Sequence, residues 1–414
     1  MHQNVLRPPV TPPPATLLLA AALAVLCADR ASAQFVNRAT WLGSEEEGIR
    51  RNFPQGSEYF LDRASYVLLA PWWNPGLERF ASGANWRVGS TSSTQFTVEG
   101  ALDLHQPLGD GFGFRYHVLQ SEHRDARFLR NEVALEYALG AESAVFAQGS
   151  LFADKSLIDV SLGAWLWRRD DDALRVMLTA VDWTNEKSRA VEYEREPYAA
   201  MLSGAFGDRN GVRVAFELGA QLPLEVRELE NDDRLELSRY LGDVQLHWRL
   251  RPTDVLVAAV EAETTAKELT PLAGDDPRQE RFDRTFWQLR AEWWRDAAMP
   301  WSVGVLHTFH DEVGRRDNAR ADDLRTDRRE WFGLARLRWV IDDRLSFEPH
   351  LFAGYVQDEF RDGGERRDRD RFEGKLGWNT RWDFSPAASL VVIVTTQLDE
   401  PAFGGGGAQF VARF

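Results

Sequence analysis

From Arg371 to Phe384 the chain alternates. Its even positions are Phe372, Gly374, Leu376, Trp378, Thr380, Trp382 and Phe384, and its odd positions are Arg371, Glu373, Lys375, Gly377, Asn379, Arg381 and Asp383. Successive side chains of a strand point to opposite faces, so this segment predicts a β-strand with one apolar and one charged face. Leu235 to Leu250 repeats the pattern, with Tyr240, Val244, Leu246 and Trp248 opposed to Arg239, Asp243, Gln245, His247 and Arg249. So does Arg284 to Trp294, with Trp287, Leu289, Ala291 and Trp293 against Arg284, Gln288, Arg290 and Glu292. Val212 to Leu222 and Phe96 to Leu104 alternate likewise.

A soluble sandwich also alternates, but its strands average about five or six residues. Here they run about ten to fourteen, enough for a tilted bilayer crossing of roughly 9–11. Aromatics gather toward strand ends. Trp331 and Trp339 share a face with Leu337 and Ile341, while Arg336 and Arg338 face the other way. Eight residues at ~3.3 Å is about 26 Å of strand, near the spacing of two interfacial aromatic girdles once tilted.

The turns carry a second signal. Ser385 to Ala387, Asp342-Asp343, Arg295 to Met299, Arg251 to Thr253 and Gly207 to Gly211 are tight. They alternate with the longer polar connections Glu400 to Gly407, Phe360 to Asp370, Asp311 to Asp327, Lys267 to Asp283 and Val226 to Arg234. Short turns on one side and long loops on the other are a property of outer-membrane barrels.

Composition agrees with this reading. Mean hydropathy is low (-0.40) although the chain holds 16 Trp and 24 Phe. The excess aromatics belong to one face of each strand. Arg7, the apolar run Thr16 to Cys27 and Ala31-Ser32-Ala33 form the three-part pattern of a signal peptide over residues 1–33, with an apolar core too short to span a bilayer. Cys27 is the single cysteine, so the remainder can build no disulfide framework, thiolate metal site or cysteine nucleophile. A net charge of -15 argues against nucleic acid as a partner.

With these residues in view, the chain resembles the outer-membrane β-barrel proteins of Gram-negative bacteria, in particular the large porin-like ones, over 80–414. The resemblance implies an all-β fold: a closed antiparallel transmembrane β-barrel with short periplasmic turns and long extracellular loops. Counting strands back from 408–414 to 94–105 gives seventeen. Residues 80–89 make an eighteenth, and single-chain barrels have even numbers; sixteen follows if two weak early strands are misread. The resemblance also implies that the C-terminal aromatic, Phe414, with Phe410 on the same face, is the signal read by the barrel-assembly machinery. Ala412 departs from the aromatic or large apolar residue usual two positions before the end.

A barrel of this size encloses an aqueous channel unless something fills it. The candidate pore-lining residues are basic (Arg213, Arg239, Arg290, Arg336, Arg338, Lys375, Arg381) and acidic (Glu217, Asp243, Glu292, Glu348). They line either a wetted, mutually paired interior or a mixed-charge constriction that orients polar solutes. Asp311 to Asp327 is long enough to fold inward as a constriction loop. Residues 34–79, which include the apolar Tyr59 to Trp73, read as a periplasmic segment, an inner plug or a further strand.

No catalytic motif is visible. His105 with Asp103 and His247 with Asp243 fall near the periplasmic ends of their strands, His307 and His310 adjoin Asp311 near an outer rim without a serine motif, and His350 shares a mid-strand face with Glu348. Gly404 to Gly407 reads as a surface loop. The expectation is a channel for passive diffusion of small polar solutes in the cell outer membrane, not an enzyme, with no cofactor or metal. Its partners would be outer-membrane lipid, lipopolysaccharide and the assembly machinery, and the strand pattern is compatible with a homo-oligomer. The competing expectation is an export channel for polysaccharide, or a sleeve around a periplasmic partner protein.

Overall fold

The computed structural model describes residues 83–90, 96–123, 126–151, 159–169, 172–180, 191–195, 198–208, 210–228, 233–272, 280–316, 324–362, 365–385, 387–398 and 402–413. The expected signal peptide (1–33), the segment 34–79 and Phe414 lie outside the described residues.

Among the described residues every regular element is a strand. In chain order they are β1 (Gly83–Ser90), β2 (Phe96–Gly109), β3 (Phe112–His123), β4 (Ala126–Ala138), β5 (Ala144–Leu151), β6 (Val160–Arg169) and β7 (Asp172–Ala180). β8 (Val191–Arg195), β9 (Tyr198–Gly207), β10 (Val212–Glu228), β11 (Asp233–Arg251), β12 (Asp254–Pro271), β13 (Glu280–Arg295) and β14 (Trp301–Arg316) follow. The last are β15 (Leu324–Leu337), β16 (Trp339–Val340), β17 (Leu345–Asp362), β18 (Glu365–Ser385), β19 (Ala388–Gln397) and β20 (Phe403–Arg413).

All pairings are antiparallel within one sheet. β8 and β9 both lie along β10, and β15 and β16 both lie along β17, so the 20 elements occupy eighteen positions in strand order. β1 is flanked on both sides: Trp86 opposes Gly100 of β2 and Phe410 of β20. The β2–β3 turn, like the β11–β12 turn, leaves two residues between paired strand ends. Asp110 sits at φ 52 between Gly109 and Gly111, both also at positive φ, the backbone a two-residue hairpin needs.

The loop expectations need correction. Most of the long connections are strand. β17 and β18 pair out to Asp362 opposite Glu365, so the Phe360 to Asp370 loop shrinks to residues 363–364. Asp311 pairs with Asp327 and Gly314 with Leu324, so the described part of that stretch is hairpin wall and cannot fold inward. Gly404 to Gly407 is not a surface loop either; it lies inside β20, between β19 and β1. A polar segment stays extended here because its neighbours pair with it and its charges pair in place. Arg281 meets Asp283 at 3.0 Å, Arg329 meets Asp327 at 3.1 Å and Arg366 meets Asp368 at 2.9 Å. β18 thereby reaches 21 residues, about twice a bilayer crossing.

The two faces of the wall differ as the alternation predicts. Trp248, Trp293, Trp339, Trp378, Trp382 and Phe384 are exposed outward, whereas Arg213, Arg239, Arg290 and Arg336 are buried on the other face. Outward aromatics form two levels. Trp248, Trp339 and Trp382 lie near the tight turns, and Tyr240, Trp331 and Phe372 lie eight to ten residues further along the same strands or their continuations. Between the levels lie outward aliphatic residues such as Val305, Leu351 and Leu376, with Trp378 among them on β18.

Candidate functional site on the inner face

The inner face carries the candidate chemistry. On β13, Arg290 and Glu292 are two residues apart and therefore share that face; the Arg290 Nη2 donates to Glu292 Oε2 at 2.8 Å. Ser302 Oγ of β14 donates to Glu292 Oε1 at 2.6 Å. Arg336 belongs to β15, one strand further, yet its Nε comes within 3.4 Å of Glu292 Oε1. That reach depends on β14 carrying small side chains there: Gly304 opposes Glu292, and Ser302 opposes Arg336. Arg336 then meets Glu348 of β17 at 3.6 Å, and Asn379 Nδ2 of β18 donates to Glu348 at 3.0 Å. One network thus crosses five neighbouring strands, with the Trp294 ring beneath the Arg336 guanidinium at 5.9 Å. All its charged members are buried, so each charge needs its partner.

Further along the wall, Arg239 pairs with Glu263 at 2.9 Å, and Arg284 shares the same carboxylate. Arg213 spans from β10 to Asp172 of β7 at 2.9 Å and donates to the Gly207 carbonyl at 3.0 Å. Glu136 accepts from the Trp165 indole at 2.9 Å and from Arg168 at 3.1 Å, while Arg115, Arg168 and Arg175 stand 5.3–5.5 Å from the Trp165 ring. Nearer the far ends of the long hairpins, Arg328 meets Glu330 at 2.5 Å, and His310 lies 3.3 Å from Glu312.

Of the expected pore-lining residues, Arg290, Glu292, Arg336 and Glu348 come together. Arg213, Glu217 and Arg239 are buried on the same face, apart from that network. Asp243 accepts from Gln245 at 2.9 Å, Arg338 donates to Ser346 at 3.3 Å, and Arg381 donates to Asp383 at 2.8 Å. Lys375 is half-buried on β18, opposite Phe352 of β17 and Gln397 of β19. Phe410 faces outward, opposite Trp86 and Leu390. The expectation missed Asp172, Glu263, Ser302 and Asn379. Alternation could have put each on the inner face, but only the register between strands says which charge it meets.

A second departure matters more for function. The inner face is not uniformly polar. Phe146, Trp165, Met177 and Met201 form one buried apolar cluster, and Leu306, Phe332, Leu334, Phe352 and Val356 form another. Neighbouring outward residues of the same strands set the scale. Trp331 is 43% exposed and Phe332 4%; Leu351 is 42% exposed and Phe352 4%. His307 breaks the pattern the other way, facing outward between the rings of Trp287 and Trp331 at 4.7 and 4.8 Å. Among the described residues no group of three or more His, Cys, Asp or Glu side chains could hold a metal ion.

No protein-family model matches the chain, and no curated protein does. Solved structures share its all-β architecture at low identity. The translocator domain of the autotransporter NalP from Neisseria meningitidis is 11% identical over 66% of this chain and 89% of its own, with a TM-score of 0.31. A bacterial polysaccharide outer membrane secretin is 10% identical over 80% and 97%, at 0.33. OmpT, an outer membrane protein of Vibrio cholerae, is 8% identical over 80% and 98%, at 0.36. The chain's own strands form an all-β antiparallel sheet with an apolar outer face and a buried, charge-bearing inner one.

Proposed function

We propose that this chain is an outer-membrane β-barrel of eighteen strand positions that passes small polar solutes across the membrane. The observation that carries the membrane reading is the inversion of the two faces: large apolar side chains are exposed outward, and arginines and glutamates are buried inward. In water that arrangement would be unstable; in lipid it is the stable one. Closure is supported by β1 pairing with both β2 and β20, since hydrocarbon cannot satisfy an open sheet edge. The tight turns would face the periplasm. Phe410 and Phe414 would serve the assembly machinery, and the charged hairpins would meet lipopolysaccharide.

A second reading is favoured by the inner apolar clusters, which a channel for polar solutes does not need: an export channel for polysaccharide, or a sleeve around a periplasmic protein. Purified protein in planar bilayers separates the two. Stable conductance steps from protein whose gel mobility shifts on heating support the channel. A heat-shifting barrel that stays silent and copurifies with a periplasmic protein supports the sleeve. Identical mobility before and after heating, with the protein in the soluble fraction, would sink both.

A further inference from the structure

We infer that the aqueous passage of this barrel runs along the inner face of β18 and takes small uncharged or zwitterionic polar solutes. The inference rests on the channel reading above. Many inner-face charges cannot meet a solute: the side chains of Arg290, Glu292, Arg328, Glu330 and Arg336 are only 1–4% exposed. On β18 the same face is wet. Arg371 is 32% exposed, Glu373 30%, Arg381 36% and Asp383 29%, and Lys375 between them is half-buried. Asp358 of β17, beside Arg371, is 23% exposed.

The row is long enough to be a path. Every second residue of a strand faces one side, so the odd-numbered positions from Arg371 to Asp383 share the inner face. Twelve residues at ~3.3 Å make about 40 Å of wall, or about 30 Å of depth at a tilt of ~40°, the thickness of the hydrocarbon core. Half-buried inner residues recur on β11, at Asp243, His247 and Arg249, but that row ends at buried Leu241 and Arg239. β18 is wet near both of its ends.

Between those ends the row narrows. Asn379 is buried, and Gly377 is roofed by β19: a Cβ built there would stand 2.6 Å from both Thr395 Cγ2 and the Val394 carbonyl oxygen. Gly377, Asn379 and Thr395 carry no charge, so this neck does not select by sign. The steps on either side are balanced, with Arg371, Lys375 and Arg381 against Asp358, Glu373 and Asp383. Arg381 pairs with Asp383 at 2.8 Å and Arg371 with Asp358 at 3.8 Å. Pairs in contact with water are weak and can open to a passing solute. The buried Arg290, Glu292 and Arg336 cannot release a partner without stranding a charge. A solute bearing both signs, or neither, meets complementary groups at each step, whereas an ion of one sign meets a repelling group beside every attracting one.

Thiol labelling of the full chain in lipid tests this, on a Cys27→Ser background. Lys375→Cys and Arg381→Cys should react with a charged, membrane-impermeant methanethiosulfonate, and reaction at Lys375→Cys should lower single-channel conductance several-fold. Val356→Cys and Thr308→Cys, buried on the same face, should stay unlabelled. Should Lys375→Cys not insert, Gln397→Cys on β19, directly opposite, reads the same level without removing a charge. Failure to label Lys375→Cys and Arg381→Cys in a barrel that still shifts on heating overturns the inference, as does labelling of Val356→Cys at an equal rate. Labelling on β18 that leaves conductance unchanged also overturns it, and the channel stands. If β18 labels but the protein never conducts, the wet row stands and the channel reading falls. In a KCl gradient the reversal potential should lie near zero; a strong preference for either ion overturns the solute class.

Discussion

Phe332 of β15 lies over Gly354 of β17: a Cβ built at Gly354 would stand 2.3 Å from the Phe332 ring and 2.0 Å from the Trp331 carbonyl oxygen. Phe146 lies over Gly163 in the same way, 2.2 Å from a Cβ there. Inner aromatics therefore rest on glycines of the neighbouring strand instead of standing into the lumen. Gly354→Ala must push backbone as well as ring, so it should destabilise the barrel by roughly 1–3 kcal/mol. Urea midpoints read by heat-shift gels in detergent check this. An unchanged midpoint would mean the ring stands free of the wall.

Glu292 holds Arg290, Ser302 and Arg336 at once. Removing it leaves two buried guanidiniums without that carboxylate, so Glu292→Ala should cost about 3–5 kcal/mol. Arg336→Ala should cost a comparable amount, and the double variant much less than the sum. A cycle whose two costs simply add would show that Glu292 and Arg336 do not interact across β14.

Leu376 faces outward between Phe372 and Trp382. Leu376→Arg should lower barrel stability by roughly 2–4 kcal/mol, the cost of a cation near the bilayer midplane, whereas Trp339→Arg near the tight turns should cost about 0–1 kcal/mol. Folding titrations into lipid vesicles measure both. Equal costs would place the two side chains at one depth, against the two-girdle arrangement.

Asp342 closes the β16–β17 turn. Its Oδ1 accepts from the Arg344 amide at 2.7 Å and from the Leu345 amide at 2.8 Å. Those bonds, the Arg344 one first, hold its carboxyl below the usual aspartate value. A folded pKa below the unfolded one gives stability that is present above the unfolded value, about 4, and lost as pH falls through the folded one. Wild-type protein should exceed Asp342→Ala in stability at neutral pH, with the gap closing in acid below about pH 4. A gap that persists unchanged at pH 2 would show that the carboxylate's charge plays no part.

Alternation along Arg371 to Phe384 determined the faces, because a strand's period of two belongs to its own backbone and needs no partner. Outward Trp378 and Trp382 and inward Lys375 and Arg381 were legible for that reason. So were Arg290, Glu292, Arg336 and Glu348 as inner-face charges, together with the tight turns at Asp342 and Gly207. Residue types could not say where a strand stops. Arg366 to Asp370 is polar on both faces, which reads as loop, and only its pairing with β17 makes it wall. Tertiary structure also decided which charges meet, since Arg336 reaches Glu292 only where register sets Ser302 and Gly304 between them. It decided the inner apolar clusters too: Phe332 and Phe352 are inward by parity, but a strand's alternation says nothing about what stands against its inner face.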